Sequence, residues 1–267
     1  MNKKAFLAII MALIIPVICY LVIKKITDNN VVMPPHYYAD SVVNTVHRGK
    51  PVSDTIWHSL PPIQLTNQEG RQVGWDDVKG KILVIGFFFT HCPSICPTLT
   101  KNMKTLQNAI NNAQRVGDKT PDFVQFLMLS VDPERDSVQR LKKWADRFQI
   151  NAELYWLLTG NKKEIYDLAI NDLKLATIDG EGVDTSFIHT DRFTLIDARR
   201  NVRGYYRGLD TASLAAMSRD IVMLSMEKDR TKKSFLAENS FILITAFISA
   251  VILVTALLFV LRKTRLQ

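Results

Sequence analysis

Apolar residues are concentrated in two long runs near the ends of the chain. No charge interrupts residues 5–23, a run of 19 residues, or residues 240–261, a run of 22. About 20 helical residues cross the roughly 30 Å hydrocarbon core of a bilayer, so both runs are long enough to span a membrane. The first run lacks the small-residue cleavage site of a signal peptide, which favours a retained anchor over residues 1–25. We therefore predict two membrane-spanning helices.

Between these runs, continuous apolar stretches alternate with amphipathic ones. Residues 82–89 and 123–131 are almost wholly apolar, which is typical of strands buried on both faces of a sheet. Residues 97–113 carry apolar side chains at spacings of three and four, which predicts an amphipathic helix. The same patterns predict a hairpin over 63–73, a helix over 138–148, a strand over 154–158, a helix over 162–173, strands over 192–197 and 202–207, and a helix over 212–226. Alternating strands and helices predict an α/β fold with a mixed sheet flanked by helices.

The same patterns divide the chain into segments. Residues 26–59 have few apolar clusters and are predicted to be a tether between the first span and the domain. The domain itself is expected over residues 60–227. The remaining segments are a linker over 228–239, the second span over 240–261 and a basic tail over 262–267.

Positive charge is concentrated beside the apolar runs. The net charge is +8, but residues 26–238 hold 27 Lys and Arg against 26 Asp and Glu. A nucleic-acid-binding domain needs a basic patch on its folded surface, so this distribution argues against a nucleic acid partner and for a membrane. Two spans place both termini on one side, and the positive-inside rule favours cytoplasmic termini with an exported domain. No Arg- and Ser-rich transit segment precedes the first span, so a bacterial inner membrane is expected.

Two cysteines, Cys92 and Cys96, lie where the strand at 82–89 gives way to the helix predicted from Pro97. Each precedes a proline, which disfavours helical geometry, so we expect both to lie in the turn before the helix. Amide donors and the positive end of the helix dipole favour thiolate over thiol there. Such thiolates serve metal binding or redox exchange. The alternative is an unreactive pair or a static disulfide, whose small loop would constrain little chain.

A third ligand would turn the cysteine pair into a soft-metal site. His91 adjoins Cys92, but neighbouring side chains of a strand point to opposite faces. His189 precedes the strand at 192–197 and is the candidate that a thioredoxin-like arrangement would bring to the cysteines. Two thiolates and one imidazole suit copper, whereas structural zinc would need a fourth ligand. Three other histidines fall in or near the predicted tether and are expected at the surface: His36, His47 and His58.

Three motifs follow one another along the chain. They are Phe-Phe-Thr-His-Cys-Pro-Ser-Ile-Cys-Pro at 88–97, Ser-Val-Asp-Pro-Glu-Arg-Asp at 130–136, and Ile-His-Thr at 188–190 followed by Phe-Thr-Leu-Ile-Asp at 193–197. In this order they resemble the Sco/SenC family of copper proteins over roughly residues 60–225. The resemblance implies a thioredoxin-like fold.

The resemblance also implies a site. One copper ion, as Cu(I) or Cu(II), would be held by Cys92, Cys96 and His189. Asp132 would lie near that ion and either support its ligands or begin the following helix. The family often has acidic residues where this chain has Ser94 and Ile188, and a second span is unusual for it.

The function implied by the resemblance is that of a copper metallochaperone rather than an enzyme. It would receive copper from a donor protein and assist assembly of the binuclear copper centre in a subunit of a respiratory terminal oxidase. The same thiols would also serve a thiol–disulfide reductase that keeps the oxidase's copper-ligand cysteines reduced. A membrane-bound redox or copper sensor is a further alternative.

Overall fold

The computed structural model describes residues 33–47, 50–113, 123–175 and 190–227, together with residues 18, 20 and 22. The chain divides into two units, Met1–Met226 and Glu227–Gln267, and the elements below belong to the first. In chain order they are β1 Ala39–His47, β2 Lys50–Trp57, β3 Gln64–Asn67, β4 Gln72–Gly74, a 3₁₀ turn Trp75–Val78, β5 Ile82–Phe88, α1 Ile95–Ala113, β6 Val124–Ser130, α2 Val138–Phe148, β7 Tyr155–Thr159, α3 Lys162–Asp167 with a π-helical turn Leu168–Asp172, β8 Arg192–Ile196, β9 Val202–Arg207 and α4 Thr211–Ser225.

Among the described residues, seven strands form one mixed sheet in the order β4-β3-β7-β6-β5-β8-β9. The central strands β5, β6 and β7 are parallel, while β3 and β8 flank them in antiparallel orientation. Every residue of β5 and β6 is buried. Helices cover both faces of these strands, which explains their continuous apolar sequences.

Each face of the sheet carries its own hydrophobic cluster. One cluster joins alternate residues of β5 and β6 to the apolar stripes of α1, α2 and α4. The other joins the intervening residues to α3, its π-helical turn and the 3₁₀ turn. The period of two along each strand therefore sorts side chains between two layers of helices. The predicted mixed α/β sheet with flanking helices is confirmed.

A hairpin lies within the segment predicted to be a tether. Strands β1 and β2 pair in antiparallel orientation as a separate two-stranded sheet. Val42, Val43 and Ile56 are exposed on it, so no apolar face distinguishes it in the sequence. His58 follows β2 and lies 3.0 Å from the Asp40 carboxylate by Nδ1 and 3.2 Å from that of Asp172 by Nε2.

The predicted membrane spans lie outside the described residues, apart from Ile18, Tyr20 and Val22, whose side chains are exposed. Within the part of the chain that the structure describes, no helix has the length and apolar character to cross a membrane. The two spans remain predictions.

Candidate metal centre

The loop from β5 to α1 carries Cys92, and Cys96 is the second residue of α1. The expectation that both cysteines precede the helix is therefore wrong for Cys96, because α1 begins at Ile95. Amides in the first turn of a helix have no acceptor within it, so Pro97 sacrifices no hydrogen bond there. The two cysteines bracket the helix N-terminus.

The two thiols are free, and both are buried, with Cys92 5% and Cys96 3% exposed. Each thiol shifts the pKa of the other, which indicates that the two side chains lie close together. The Ser94 hydroxyl oxygen lies 3.7 Å from the Cys92 sulfur. The structure thus brings together two of the three predicted ligands.

The two sulfurs differ in their ionisation. Burial opposes ionisation of Cys92, but hydrogen bonds from the backbone and side chains of Cys96 and Ser94 outweigh it and lower the pKa of Cys92 to about 7. Burial raises the pKa of Cys96 to about 12, and the negative charges of Cys92 and Asp136 act in the same direction. The predicted preference for thiolate therefore applies to Cys92 and not to Cys96. Near neutral pH, Cys92 is therefore the sulfur with the greater thiolate fraction.

Buried Asp132 and exposed His91 form a polar pair beside the loop. The Asp132 carboxylate lies 3.2 Å from His91 Nε2, and Arg135 Nη1 lies 3.1 Å from the same nitrogen. β5 ends at Phe88, so His91 is not a strand residue and the alternation argument does not apply to it. The Asp132 carbonyl accepts the amides of Arg135 and Asp136 in the turn before α2. The N-cap of α2 is Ser137, and these bonds involve only the backbone of Asp132, so both predicted roles of its side chain remain predictions.

Asp136 is a buried residue of this site that the sequence analysis did not assign. Its carboxylate accepts from the Thr90 amide at 3.1 Å, from the Thr90 hydroxyl at 2.5 Å and from the Ser130 hydroxyl at 2.6 Å. The sequence feature that could have identified Asp136 is its position at the end of the motif at 130–136. Periodicity cannot show what a carboxylate contacts 46 residues away.

His189 lies outside the described residues, which resume at Thr190. β8 runs antiparallel to β5, with Ile85 opposite Thr194 and Leu83 opposite Ile196. The first residues of β8 therefore lie at the same end of the sheet as the last residues of β5, which lead into the cysteine loop. Across the described residues, no three His, Cys, Asp or Glu side chains are grouped to hold a metal ion. His189 remains the predicted third ligand.

The donor set itself fits a soft metal. Two adjacent free sulfurs, one of them a thiolate near neutral pH, are the ligands that Cu(I) or zinc prefers. Deprotonation of Cys96 on binding would couple metal affinity to pH, as metal–thiolate sites generally require.

Comparisons with known proteins identify related chains. A SCO1 protein homolog of Bacillus subtilis (strain 168) is 29% identical over 181 residues, covering 67% of this chain and 90% of the relative. A putative copper-binding protein of Stutzerimonas stutzeri is 26% identical over 151 residues, covering 56% and 69%.

Solved structures show the same relationship. BsSco, described as a member of the Sco family of cytochrome c oxidase assembly proteins with a disulfide switch, is 26% identical with a TM-score of 0.52. The match covers 65% of this chain and 98% of BsSco. The SCO1/SenC family model matches residues 58–224, which is more than half of the chain and includes both thiols. The chain belongs to the SCO1/SenC family.

Proposed function

We propose that this chain is a copper metallochaperone that binds one copper ion through Cys92, Cys96 and His189. It would pass the ion to the binuclear copper centre of a respiratory terminal oxidase. The observation that carries the proposal is the pair of free, buried thiols at the N-terminus of α1, each of which shifts the pKa of the other.

Two relatives support the identity of the metal and of the partner. The Stutzerimonas stutzeri relative is described as a putative copper-binding protein, and BsSco belongs to a family of cytochrome c oxidase assembly proteins. The predicted site has three protein ligands and not a closed set of four. We expect such a site at a helix N-terminus to allow copper to pass to another protein. Tight binding and release are both needed for delivery.

The test is copper titration of the reduced full-length protein in detergent, beside Cys92→Ala, Cys96→Ala and His189→Ala. We expect one Cu(I) per chain in the parent and a loss of affinity in each variant. Cys19→Ala is the matched thiol control, because Cys19 lies within the first predicted span, and it should bind as the parent does. If His189→Ala binds copper as the parent does, His189 is not a ligand. If the parent itself binds no copper, the copper proposal is refuted.

The difference in pKa between the sulfurs favours a second function, thiol–disulfide exchange. The Cys92 thiolate would attack a partner's disulfide, forming a mixed disulfide and releasing one partner thiolate. After Cys96 loses its proton, its sulfur would attack Cys92, leaving the Cys92–Cys96 disulfide and releasing the second partner thiolate. The partner gains two electrons and this chain loses two.

His189 distinguishes the two functions. His189→Ala should weaken copper binding and oxidase assembly while reduction of a model disulfide continues at the parent rate. Normal oxidase assembly by this variant would favour the reductase function over the chaperone function.

A further inference from the structure

The carboxylate of Asp136 is the most completely enclosed charge beside the thiol pair. Asp136 is 0% exposed, and the hydrogen bonds from Thr90 and Ser130 engage both of its oxygens. Its amide also donates to the Asp132 carbonyl at 2.9 Å, which fixes the carboxylate against the end of β6.

No full cation balances this carboxylate within the described residues. The only basic group within 4 Å there is the His91 ring, whose Nδ1 lies 3.9 Å away. Arg135 lies toward Asp132, with 3.8 Å between Nε and the carboxylate. Burying a charge without an ion pair is expensive even when its hydrogen bonds are made. If Asp136 only stabilised the turn, a neutral hydrogen-bonding side chain would do so at a smaller desolvation cost than a carboxylate.

The three hydrogen bonds join two parts of the chain that belong to different strands. Thr90 follows β5 and lies two residues before Cys92, whereas Ser130 ends β6. Asp136 therefore fixes the start of the cysteine loop to the neighbouring parallel strand. A loop held in this way keeps its thiol in one place before the metal arrives, so less conformational entropy is lost on binding.

We propose that Asp136 is a positioning residue of the copper site, acting through Thr90 to hold Cys92 beside Cys96. This inference rests on the proposed copper function. Asp136 does not itself ligate the metal, since its oxygens are engaged by the Thr90 and Ser130 donors. Partners that orient metal ligands typically contribute 10- to 100-fold to metal affinity.

The experiment compares Asp136→Asn, Thr90→Val and Thr90→Ser in the full-length protein. Asparagine keeps the shape of Asp136 but lacks one acceptor oxygen and the charge. Valine keeps the shape of Thr90 without its hydroxyl, and serine restores the hydroxyl. Asp220→Asn is the remote control, because the Asp220 carboxylate accepts the Tyr206 hydroxyl and lies in α4.

Three quantities are measured: Cu(I) affinity by competition with a chelator, the energy of the Cu(II)–thiolate absorption band, and thermal unfolding without metal. Asp136→Asn and Thr90→Val should each lose about 10- to 100-fold in affinity and shift the band. In the double variant, the loss of binding free energy should be smaller than the sum of the two single losses, because both substitutions remove the same Thr90–Asp136 contact. Thr90→Ser and Asp220→Asn should match the parent.

The outcomes separate this inference from the copper proposal. A parent that binds no copper refutes the proposed function itself. If the parent binds copper, and folded Asp136→Asn and Thr90→Val bind it with the same affinity and the same absorption band, only the positioning role is refuted. If Asp136→Asn does not fold, the Thr90→Val and Thr90→Ser pair decides alone, and equal affinity of these two would refute the role.

Discussion

At the scale of single residues, the environment of two chemically identical side chains makes them different groups. Both sulfurs lie in the apolar cluster between α1 and the sheet, but hydrogen bonds from Ser94 and Cys96 outweigh the effect of burial only at Cys92. Burial raises the pKa of each sulfur and hydrogen bonds that stabilise the thiolate lower it, and the balance between them differs at the two sulfurs. Near neutral pH, Cys92 is partly thiolate, whereas Cys96 stays protonated until a metal or a disulfide partner takes the place of its proton.

Alkylation of the metal-free protein tests this difference. Labelling of Cys92 should rise with pH around a midpoint near its pKa of about 7, because only the thiolate reacts. Cys96, whose pKa is raised to about 12, should stay unlabelled through pH 9. Ser94→Ala removes a donor to Cys92 and should move its midpoint upward. Peptide mass spectrometry locates the label, and equal labelling of both cysteines at pH 7 would contradict the assignment.

At the scale of elements, β9 is fixed by a buried cation. Arg203 is 1% exposed, and its guanidinium donates to the Pro34 carbonyl at 2.6 Å and to the Asp197 carboxylate at 3.1 Å. These bonds attach the segment before β1 to the sheet. The desolvated guanidinium is tolerated because a carboxylate and carbonyls surround it.

Replacing Arg203 should therefore destabilise the fold. Arg203→Met removes the arginine from the buried Asp197, which keeps the Arg199 and Asn201 amides and His36 at 3.7 Å. We therefore expect a loss of roughly 3 kcal/mol in the free energy of unfolding, the lower end of the range for a broken buried ion pair. Arg207→Met changes an exposed arginine of the same strand and should shift it by no more than about 0.5 kcal/mol. Chemical denaturation measures both. Equal stabilities of the two variants would show that the Arg203 contacts contribute little.

At the scale of the whole molecule, the distribution of charge bears on where the domain lies. The domain is nearly neutral, while the excess Lys and Arg flank the two apolar runs. We propose that both runs span a bacterial inner membrane and that the domain between them is on the exported side. Long domains are translocated largely regardless of their own charge, so the flanking cations decide the orientation.

Reporter fusions test this topology. Alkaline phosphatase, which is active only after export, should be inactive when fused after Gln267. Fused after Met226, in place of the C-terminal unit, it should be active. A fluorescent protein that folds only in the cytoplasm should give the opposite pattern. Phosphatase activity at Gln267 would overturn the proposed orientation.

The sequence by itself determined most of the sheet and its helices. Continuous apolar runs marked β5 and β6 because both faces of these strands are covered, and the 3.6-residue period marked α1 because one of its faces is buried. It also identified the cysteine pair, whose chemistry needs two thiols close together in the chain.

Only the tertiary structure decided how polar groups converge. The Asp136–Thr90 and Arg203–Pro34 contacts join residues 46 and 169 positions apart, so no local pattern records them. The β1–β2 hairpin escaped prediction because hydrogen bonds between strands require no apolar face. Periodicity reports which surfaces are removed from water, whereas hydrogen-bond partners depend on where the folded chain places each atom.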